Sequence, residues 1–582
     1  MFCYKCGAEI FVGYNFCVKC GAPVRSAAQN TAPANIQPSS AYMPPAPPDA
    51  ALAWPERTPK SAKKIAFIIG IAAGCVALIA VFLLFIRPLI NTGSTPSAEG
   101  NGFPTSHEAA EAYLDAFFNV DIDKLINSCA VKIFAENYDS LSQTQRLGQF
   151  NYITPAVLYD ALVGFDEGLA TQSRVDEISR RFLYSYRWLC LSDSPYKDYS
   201  TLLSMTVLAL QGPDYYTEAL EYFDMLELDF NAEKVRSVKE YMLMRPDEYG
   251  GDAYESYRSE RAMRNLDSII SVYGADDFEE FIAIFTLDGA EWAITLRTLC
   301  YNGKWYAEPD SAFGIELGIP AYTSVERISE LSAPPEIPPG AEYTGVRSGS
   351  ASATGIRIEG DGADTAEVAV SAYMDGFLGA DIEKILQACA VETYVENYDS
   401  VYAAERIRAI MPIYGFEQVY NNFSPRMATA NRAGMIVSAV RLRYLFLCSE
   451  HIREGDYSPI QMGDEDELNS FYRDFARDFD SRQLRSVESF EILTIDDFAG
   501  DIRDLYNSEM NRRNIQARID TLGADDYESF IVTFRIPDGA EWALSLSAVK
   551  YGNKWYADND SMLAMLLNMP AAGVMLFDDF DY

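Results

Sequence analysis

A chain of 582 residues is too long for one hydrophobic core, so the length predicts three or four domains. Its 49% apolar and 23% charged residues are ordinary for folded material and argue against a chain that is disordered throughout. The net charge of −38 is unevenly distributed, because residues 1–90 carry +5 while the remainder holds 39 basic and 82 acidic residues. The strong negative charge of residues 91–582 repels nucleic acid and anionic lipid headgroups, which argues against both as partners of this part of the chain.

The first twenty residues contain two Cys-x-x-Cys-Gly motifs, and ten residues separate the second cysteine from the third. The four thiolates of Cys3, Cys6, Cys17 and Cys20 can form a tetrahedron, which is the geometry of structural zinc. About twenty residues cannot bury a core, so the metal must hold the fold, and four protein ligands leave no open position for catalysis. A pair of disulfides is the alternative, but it conflicts with a cytoplasmic location. The motif predicts a zinc ribbon at residues 1–25 that binds one structural Zn²⁺.

An apolar segment follows the ribbon after a linker. Residues 26–59 are rich in Pro and Ala and predict a disordered linker. Residues 65–86 are an uninterrupted apolar run that spans about 33 Å as a helix, enough to cross the hydrocarbon core of a bilayer. The run lies too far from the N-terminus for an ordinary signal peptide. We therefore predict one uncleaved transmembrane helix at residues 65–86.

Charges that flank this segment predict its orientation. Four basic residues lie between Arg57 and Lys64, whereas Arg87 alone follows the segment closely. The positive-inside rule therefore places the N-terminus in the cytoplasm and residues 91–582 outside the cell membrane. Gly70 and Gly74 have the spacing that lets two spanning helices approach closely, which allows a homodimer, although small residues are common in such helices anyway.

The outer part is a tandem repeat. Residues 113–124 recur with substitutions at 373–384, and residues 288–292 recur unchanged at 538–542. The distance in sequence between matching residues therefore falls from 260 to 250. A falling offset indicates that the second copy is shorter in its middle, where loops absorb deletions. The predicted boundaries are 103–330 for repeat 1, 331–363 for a linker, 364–570 for repeat 2 and 571–582 for an acidic tail.

Each repeat begins with helices and ends with strands. Thr105 with Glu108, and Asp364 with Glu367, have the spacing of a helix capping box. Near the other end of repeat 1, apolar residues alternate at Trp292, Ile294 and Leu296, a period typical of a strand. The corresponding residues of repeat 2 alternate in the same way. The two-residue turns predicted from the sequence are 302–303 and 552–553. This order predicts an α+β domain whose middle is a helical insertion.

The arrangement of each repeat resembles the NTF2-like, or cystatin-like, cone, in which N-terminal helices precede strands and a late strand reads Gly-Lys-Trp-Tyr, as at residues 303–306. The whole layout, with a zinc ribbon, a Pro-rich linker, one span and repeated outer domains, resembles bacterial zinc-ribbon membrane proteins of the TcaA type. That resemblance implies a bacterial cell-envelope protein connected with sensitivity to antibiotics that act on the wall.

No catalytic constellation is recognisable in the sequence, and we predict no catalytic residue. The pentapeptide Glu-Asn-Tyr-Asp-Ser, identical at 136–140 and 396–400, is the best candidate for an outer site, and the end of a helix is the alternative. Cys129 recurs as Cys389 and Cys190 as Cys448, so each repeat could hold a disulfide, or two buried thiols, which we favour.

The leading hypothesis is a non-enzymatic, membrane-anchored envelope protein whose outer domains bind a ligand or protein, sense it or act as a scaffold. An enzyme that uses the cone as its active site is the alternative. A buried acid opposite a tyrosine in a polar cone would favour the enzyme, and a cone filled by Trp292, Ile294 and Leu296 would favour binding or scaffolding. A membrane-tethered regulator of nucleic acid is a third hypothesis, but Lys5, Lys19 and Arg25 offer the ribbon little positive charge.

Overall fold

In a computed structural model of the chain, both repeats belong to one unit, residues 94–582. The structure describes residues 99–139, 159, 162–191, 230–320, 323–332, 345–346, 358–402, 417–448, 481–498, 500–536, 539–567, 569–570 and 572–577. The predicted ribbon, first linker and apolar segment lie outside these residues. In the part that the structure describes, no helix is both long enough and apolar enough to span a bilayer.

Repeat 1 begins with helices, and the strands of its sheet lie in its second half. Its helices are α1 (Ser106–Asn119), α2 (Ile122–Ser128), α3 (Lys132–Asn137), α4 (Glu167–Cys190), α5 (Ala232–Arg236), α6 (Pro246–Tyr249), α7 (Gly251–Tyr257), α8 (Glu260–Tyr273) and α9 (Ala312–Glu316). Its strands are β1 (Glu240–Met244), β2 (Asp277–Leu287), β3 (Ala290–Tyr301), β4 (Lys304–Glu308) and β5 (Val325–Arg327), and β6 (Gly345–Val346) adds to the same sheet.

Repeat 2 has a similar order of elements, although among the described residues six helices rather than five precede its first strand, and two rather than three lie between its first and second strands. Its helices are α10 (Ala366–Gly379), α11 (Ile382–Ala388), α12 (Glu392–Asn397), α13 (Glu417–Phe423), α14 (Pro425–Cys448), α15 (Ser481–Arg485), α16 (Asp501–Tyr506), α17 (Glu509–Leu522) and α18 (Met562–Leu566). Its strands are β7 (Phe490–Leu493), β8 (Asp526–Arg535), β9 (Glu541–Tyr551), β10 (Lys554–Asp558) and β11 (Val574–Leu576).

Each repeat builds one antiparallel sheet. The strand orders are β4-β3-β2-β1-β6 and β10-β9-β8-β7, and the short strands β5 and β11 pair with β3 and β9. Trp292 lies opposite Phe285, and Trp542 lies opposite Phe534, so the register is the same in both repeats. The predicted α+β architecture and the common fold of the two repeats are therefore confirmed.

The predicted hairpins lie where the sequence indicates. Tyr301 pairs with Lys304, so residues 302–303 form the turn, and φ is 53° at Asn302 and 74° at Gly303. Positive φ at both positions is the type I′ geometry that Asn-Gly favours. Tyr551 likewise pairs with Lys554 across the turn at 552–553.

One predicted cap is wrong by one residue. Thr105 does cap α1, because its Oγ1 accepts a hydrogen bond from the Glu108 N–H at 3.2 Å. In repeat 2 the cap of α10 is Thr365, which accepts from Val368 at 3.3 Å. Asp364 cannot serve, since its carboxylate is 2.8 Å from the Lys554 ammonium instead.

The repeats extend beyond their predicted boundaries. Glu359, which the sequence assigns to the linker, accepts hydrogen bonds from the Val391 and Thr393 backbone N–H groups at 2.7 and 2.9 Å. Glu99 does the same for the start of α3 in repeat 1. Strand β11 lies within the residues predicted as an acidic tail, and it completes the sheet of repeat 2 beside β9. This strand has only three residues, which is too short for its alternation to be recognised within an acidic segment.

The long helices α4 and α14 pack against each other and so join the two repeats. An approximate two-fold axis relates the repeats at this contact. Phe165 of repeat 1 contacts Tyr444 of repeat 2 with ring centroids 4.9 Å apart. The equivalent pair at an offset of 258, Phe423 of repeat 2 and Tyr186 of repeat 1, lies 5.2 Å apart. Such reciprocal contacts define an isologous interface, so the two repeats associate like the subunits of a symmetric dimer that is connected by one chain.

Asp176 and Gly434 mark the axis, because they occupy equivalent positions and face each other. A Cβ atom at Gly434 would overlap the Asp176 carboxylate. That carboxylate is held by Arg180 at 2.9 Å and by Ser438 of the other repeat at 3.1 Å. The antiparallel helices therefore approach closely only because repeat 2 has glycine where repeat 1 has aspartate.

We expect Gly434→Ala to lower the free energy of unfolding in the wild-type protein but to raise it when Asp176 is replaced by alanine. In the wild-type background the added methyl group should lower the free energy of unfolding by about 1–3 kcal/mol through overpacking. In an Asp176→Ala background it should raise that free energy by up to about 1 kcal/mol, because alanine is the better helix former. Urea unfolding of the four proteins measures this cycle, and additive effects would contradict the contact.

Candidate functional site

The interiors of both cones are filled. Trp292, Ile294 and Leu296 have at most 1% of their surface exposed, and they belong to one buried cluster with the aromatic residues of α1. In repeat 2, Trp542, Leu544 and Leu546 are buried in the same manner. The sheet face that packs against the N-terminal helices is therefore filled with apolar side chains in both repeats.

A buried arginine recurs in both repeats. Arg174 on α4 and Arg432 on α14 each lie with the guanidinium carbon 3.8 Å from an aromatic ring centroid, that of Phe134 and Tyr394 respectively. Each also donates to the carbonyl of an alanine in the loop before the third helix of its repeat. Arginine stacks well on aromatic faces and hydrogen-bonds in its own plane, so the two positions use both properties at once.

Each of these arginines is paired with a carboxylate at the end of a strand. Arg174 pairs with Glu308 of β4, and Arg432 lies 3.0 Å from Asp558 of β10. Burial raises the pKa of the Glu308 carboxyl, and Arg174 opposes that shift. Burial alone would also raise the pKa of Asp558, but Arg432 and Arg518 together hold it below its ordinary value. The motif therefore ties each long helix to its own sheet.

Repeat 1 adds further charged pairs. Arg297 of β3 pairs with Glu280 of β2 at 2.8 Å, and both side chains are at most 1% exposed. Arg181 of α4 lies 3.2 Å from Asp310, and the pKa of Asp310, which burial would raise, is lowered by Arg181 and Arg297.

A half-buried acid does lie opposite a buried tyrosine, since the Tyr159 hydroxyl donates to Glu177, whose side chain is 29% exposed. Burial would raise the pKa of Glu177, but Arg174 and Arg181 lower it below the ordinary value. Burial moves the pKa of Tyr159 well above its ordinary value. A general acid or base works best with a pKa near the working pH, so this pair is suited to holding the helix in place rather than to moving protons.

The repeated pentapeptide is a packing element. In repeat 1 it ends α3, and the Asp139 N–H donates to the Val272 carbonyl of α8 at 2.8 Å. In repeat 2 the Asp399 N–H donates to the Thr521 carbonyl of α17 at 2.9 Å. Gly274, which has φ of +64°, lies against the backbone of Asn137 where a Cβ atom would not fit. The recurrence of the pentapeptide thus reflects the joint between two helices.

The cysteines of the described region are not joined in disulfides, namely Cys129, Cys190, Cys300, Cys389 and Cys448. The first four are buried, and Cys448 is half-buried. Burial raises the pKa of the Cys129 and Cys389 thiols to about 12, so both are protonated at neutral pH and inert as nucleophiles. Of the two alternatives, buried thiols describe the structure.

A cavity in repeat 2 was not expected from the sequence. It has a volume of about 240 Å³ and lies between α14, β9, α18 and the residues that follow β10. Its lining includes Arg443, whose side chain is 2% exposed. Burial raises the pKa of Tyr373, a hydrogen-bond partner of Arg443, to about 12, and Arg443 opposes that shift. Sequence reasoning overlooked Arg443 because its counterpart in repeat 1 is Ser185.

The predicted zinc ligands lie outside the described residues. Over the stretch that the structure describes, no group of three or more His, Cys, Asp or Glu side chains is arranged to hold a metal ion.

The fold of this chain is similar to that of one solved structure. A crystal structure of a cystatin-like protein from Ruminococcus gnavus is similar to this chain with a TM-score of 0.45 and 10% sequence identity, covering 81% of this chain and 92% of that chain. No family model matches the chain, and no curated protein matches it.

Proposed function

We propose that this chain is a non-enzymatic, membrane-anchored protein of the bacterial cell envelope. A zinc ribbon in the cytoplasm is a small structural module, one helix spans the membrane, and the two NTF2-like repeats outside bind a ligand or a protein partner as one rigid unit. The layout that resembles zinc-ribbon membrane proteins of the TcaA type supports the location, and the acidic composition of residues 91–582 fits a solvated outer part.

The packing of the cones carries the non-enzymatic part of the proposal. An active site needs a concave space that admits a substrate to polar groups. In both repeats the corresponding sheet face is occupied by a buried tryptophan and its apolar neighbours. The buried carboxylates Glu280, Glu308 and Asp558 are all paired with arginines. The reciprocal interface between the repeats fixes their relative position, as a scaffold requires.

Labelling of a new surface cysteine tests the location. Met510 on α17 is 63% exposed, so Met510→Cys should react with a membrane-impermeant maleimide in intact cells if the repeats lie outside. The background should be low, because the cysteines described in the repeats are buried or half-buried. The extent of labelling is measured on the purified chain.

Ser40→Cys in the predicted cytoplasmic linker is the matched control for this experiment. It should become labelled only after the membrane is permeabilised. Labelling of Ser40→Cys but not of Met510→Cys in intact cells would reverse the orientation and contradict the proposed location.

Substitution of a solvent-accessible carboxylate tests the absence of catalysis. Asp310 has a side chain that is 32% exposed, so it is among the acids that a substrate could reach. We expect Asp310→Asn to lower the free energy of unfolding by about 1 kcal/mol, since a partner of Arg181 is weakened, but to restore the wild-type sensitivity to wall-directed antibiotics in cells that lack the protein. Glu260→Gln on α8, where the side chain is 86% exposed, is the control and should leave both stability and rescue unchanged. Loss of rescue by a variant that is present in normal amount would favour the enzyme.

A further inference from the structure

The cavity of repeat 2 lies where repeat 1 carries an arginine that has no counterpart in repeat 2. In repeat 1, Arg181 extends from α4 to Asp310. The residue at the equivalent position of α14 is Ala439, which lines the cavity, and Asp560 takes the place of Asp310. Asp560 is not left alone by this change, because Arg518 of α17 pairs with it at 2.6 Å. The space of about 240 Å³ is therefore a feature of repeat 2 with its own charge arrangement.

Arg443 brings a buried positive charge to this cavity without a carboxylate partner among the described residues. Its guanidinium donates to the Asn559 carbonyl at 2.7 Å, to the Asn559 side-chain oxygen at 2.6 Å and to the Tyr373 hydroxyl at 2.8 Å. Its other hydrogen bonds go to the carbonyls of Ser545 and Ala572. All five acceptors are neutral. These bonds use all five N–H groups of the guanidinium. Because buried charges in proteins are normally paired with an opposite charge, an anion in the adjacent space would be favoured by the positive charge of Arg443 rather than by a direct hydrogen bond from it.

A second polar group beside the same space is unsatisfied. Ser561 lines the cavity, and its buried hydroxyl has no hydrogen-bond partner. Buried hydroxyl groups without a partner are rare in proteins, and one that lines a cavity is ready to donate to a bound molecule. The corresponding serine of repeat 1, Ser311, instead donates to Glu280 and caps α9. The free hydroxyl therefore belongs to the cavity of repeat 2 alone.

The rest of the lining is mostly apolar. It includes Ala439, Leu442, Ala564, Met569 and Pro570. Leu442 is 41% exposed, which is unusual for a leucine on a helix that is otherwise largely buried. The volume is below the usual range for drug-sized ligands, so only a small molecule fits.

We propose that this cavity binds a small aliphatic carboxylate. Its charged end lies toward Arg443 and accepts a hydrogen bond from Ser561, and its aliphatic part packs against Leu442 and Met569. The inference deepens the proposed ligand-binding role of the outer repeats, on which it rests, and it assigns that role to repeat 2.

Equilibrium dialysis of the full-length chain in lipid nanodiscs against radiolabelled 4-methylpentanoate tests the proposal. We expect about one equivalent to bind per chain at ligand concentrations near 1 mM, and the uncharged amide of the same shape to bind at least about tenfold more weakly. Equal binding of the acid and the amide, or no binding of the acid, would overturn the proposal. Neither result would alter the maleimide labelling of Met510→Cys, so the proposed location would stand.

Two variants place the ligand in this cavity. Ala439→Arg puts into repeat 2 the side chain that repeat 1 carries as Arg181, beside the aspartate that it meets there, so the variant should fold and lose binding. Ser561→Ala removes a hydroxyl that no protein group uses, so it should keep the fold and weaken binding about three- to tenfold. Binding that both variants leave unchanged would show that the acid binds elsewhere and would overturn the assignment.

Discussion

Replacing Arg174 by methionine should lower the free energy of unfolding by about 3–5 kcal/mol, one of the largest effects of a single substitution in the outer repeats. The arginine is 3% exposed, and its partner Glu308 is 2% exposed. Methionine fills much of the same volume but leaves the Glu308 carboxylate in the interior without its ion-pair partner, with only the charge of Arg181 still acting on it. A buried ion without a partner costs far more than the intact pair contributes. Urea unfolding followed by tryptophan fluorescence measures the loss.

The loss should depend on pH in a defined direction. Burial raises the pKa of Glu308 in the folded wild-type protein, and Arg174 opposes this shift. Without Arg174 the folded-state pKa rises further, while the unfolded-state pKa stays near 4.3. A raised folded-state pKa gives stability that is fully present below the unfolded pKa and is lost as the pH rises through the folded pKa. We therefore expect the Arg174→Met defect to be largest near pH 8 and to shrink toward about pH 5.

Repeat 2 supplies the matched control. Arg432→Met removes the same stacking contact, because the guanidinium lies 3.8 Å from a ring centroid in both repeats. The free energy lost with this contact should therefore be nearly equal in the two variants. Asp558 keeps a second partner, because Arg518 lies 3.6 Å from it. Arg432→Met should therefore cost less than Arg174→Met and show a weaker pH dependence. Equal losses in the two variants, without pH dependence, would mean that packing rather than the unpaired carboxylate determines the effect.

Local signals in the sequence predicted the ends of each repeat. The alternation at Trp292 and the Asn302-Gly303 turn depend on neighbouring residues alone, and both lie where the sequence indicates. The cap of α10 was misplaced because Asp364 and Thr365 are both good capping residues, and only the position of Lys554 decides between them. Local patterns thus locate elements more reliably than they assign the role of one polar side chain.

Contacts between distant residues left weaker signals. Arg174 and Glu308 are 134 positions apart. Their counterparts in repeat 2 are Arg432 and Asp558, so a comparison of the two repeats could have suggested the ion pair. The approximate two-fold axis could not be found in that way, because Asp176 meets Gly434, a residue of different type. The cavity was hidden for the same reason, since it arises where Ala439 replaces Arg181. Where the two repeats differ, their common sequence pattern carries no information.

The predicted zinc ribbon leads to the largest expected effect. The full-length chain, purified without added metal, should contain about one zinc per chain, and Cys17→Ser should reduce the zinc content to near zero. Residues 1–25 are too few to bury a core, so the free energy of zinc binding, about 10–16 kcal/mol in comparable peptides, is also the free energy of folding of this segment. The loss of one thiolate should therefore unfold the ribbon while leaving the outer repeats folded. Metal analysis by mass spectrometry gives the zinc content, and limited proteolysis reports on the fold of the segment.

Two other cysteines provide controls for this experiment. Cys75 lies in the apolar segment at residues 65–86, and Cys300 lies buried in β3, so serine at either position should leave about one zinc per chain. The Cys17→Ser chain should also become sensitive to protease within residues 1–25, whereas the Cys75→Ser chain should not. A wild-type chain without zinc, with the four N-terminal cysteines joined in disulfides, would refute the zinc ribbon and the cytoplasmic location together, because such disulfides persist in an oxidising compartment and not in the cytoplasm.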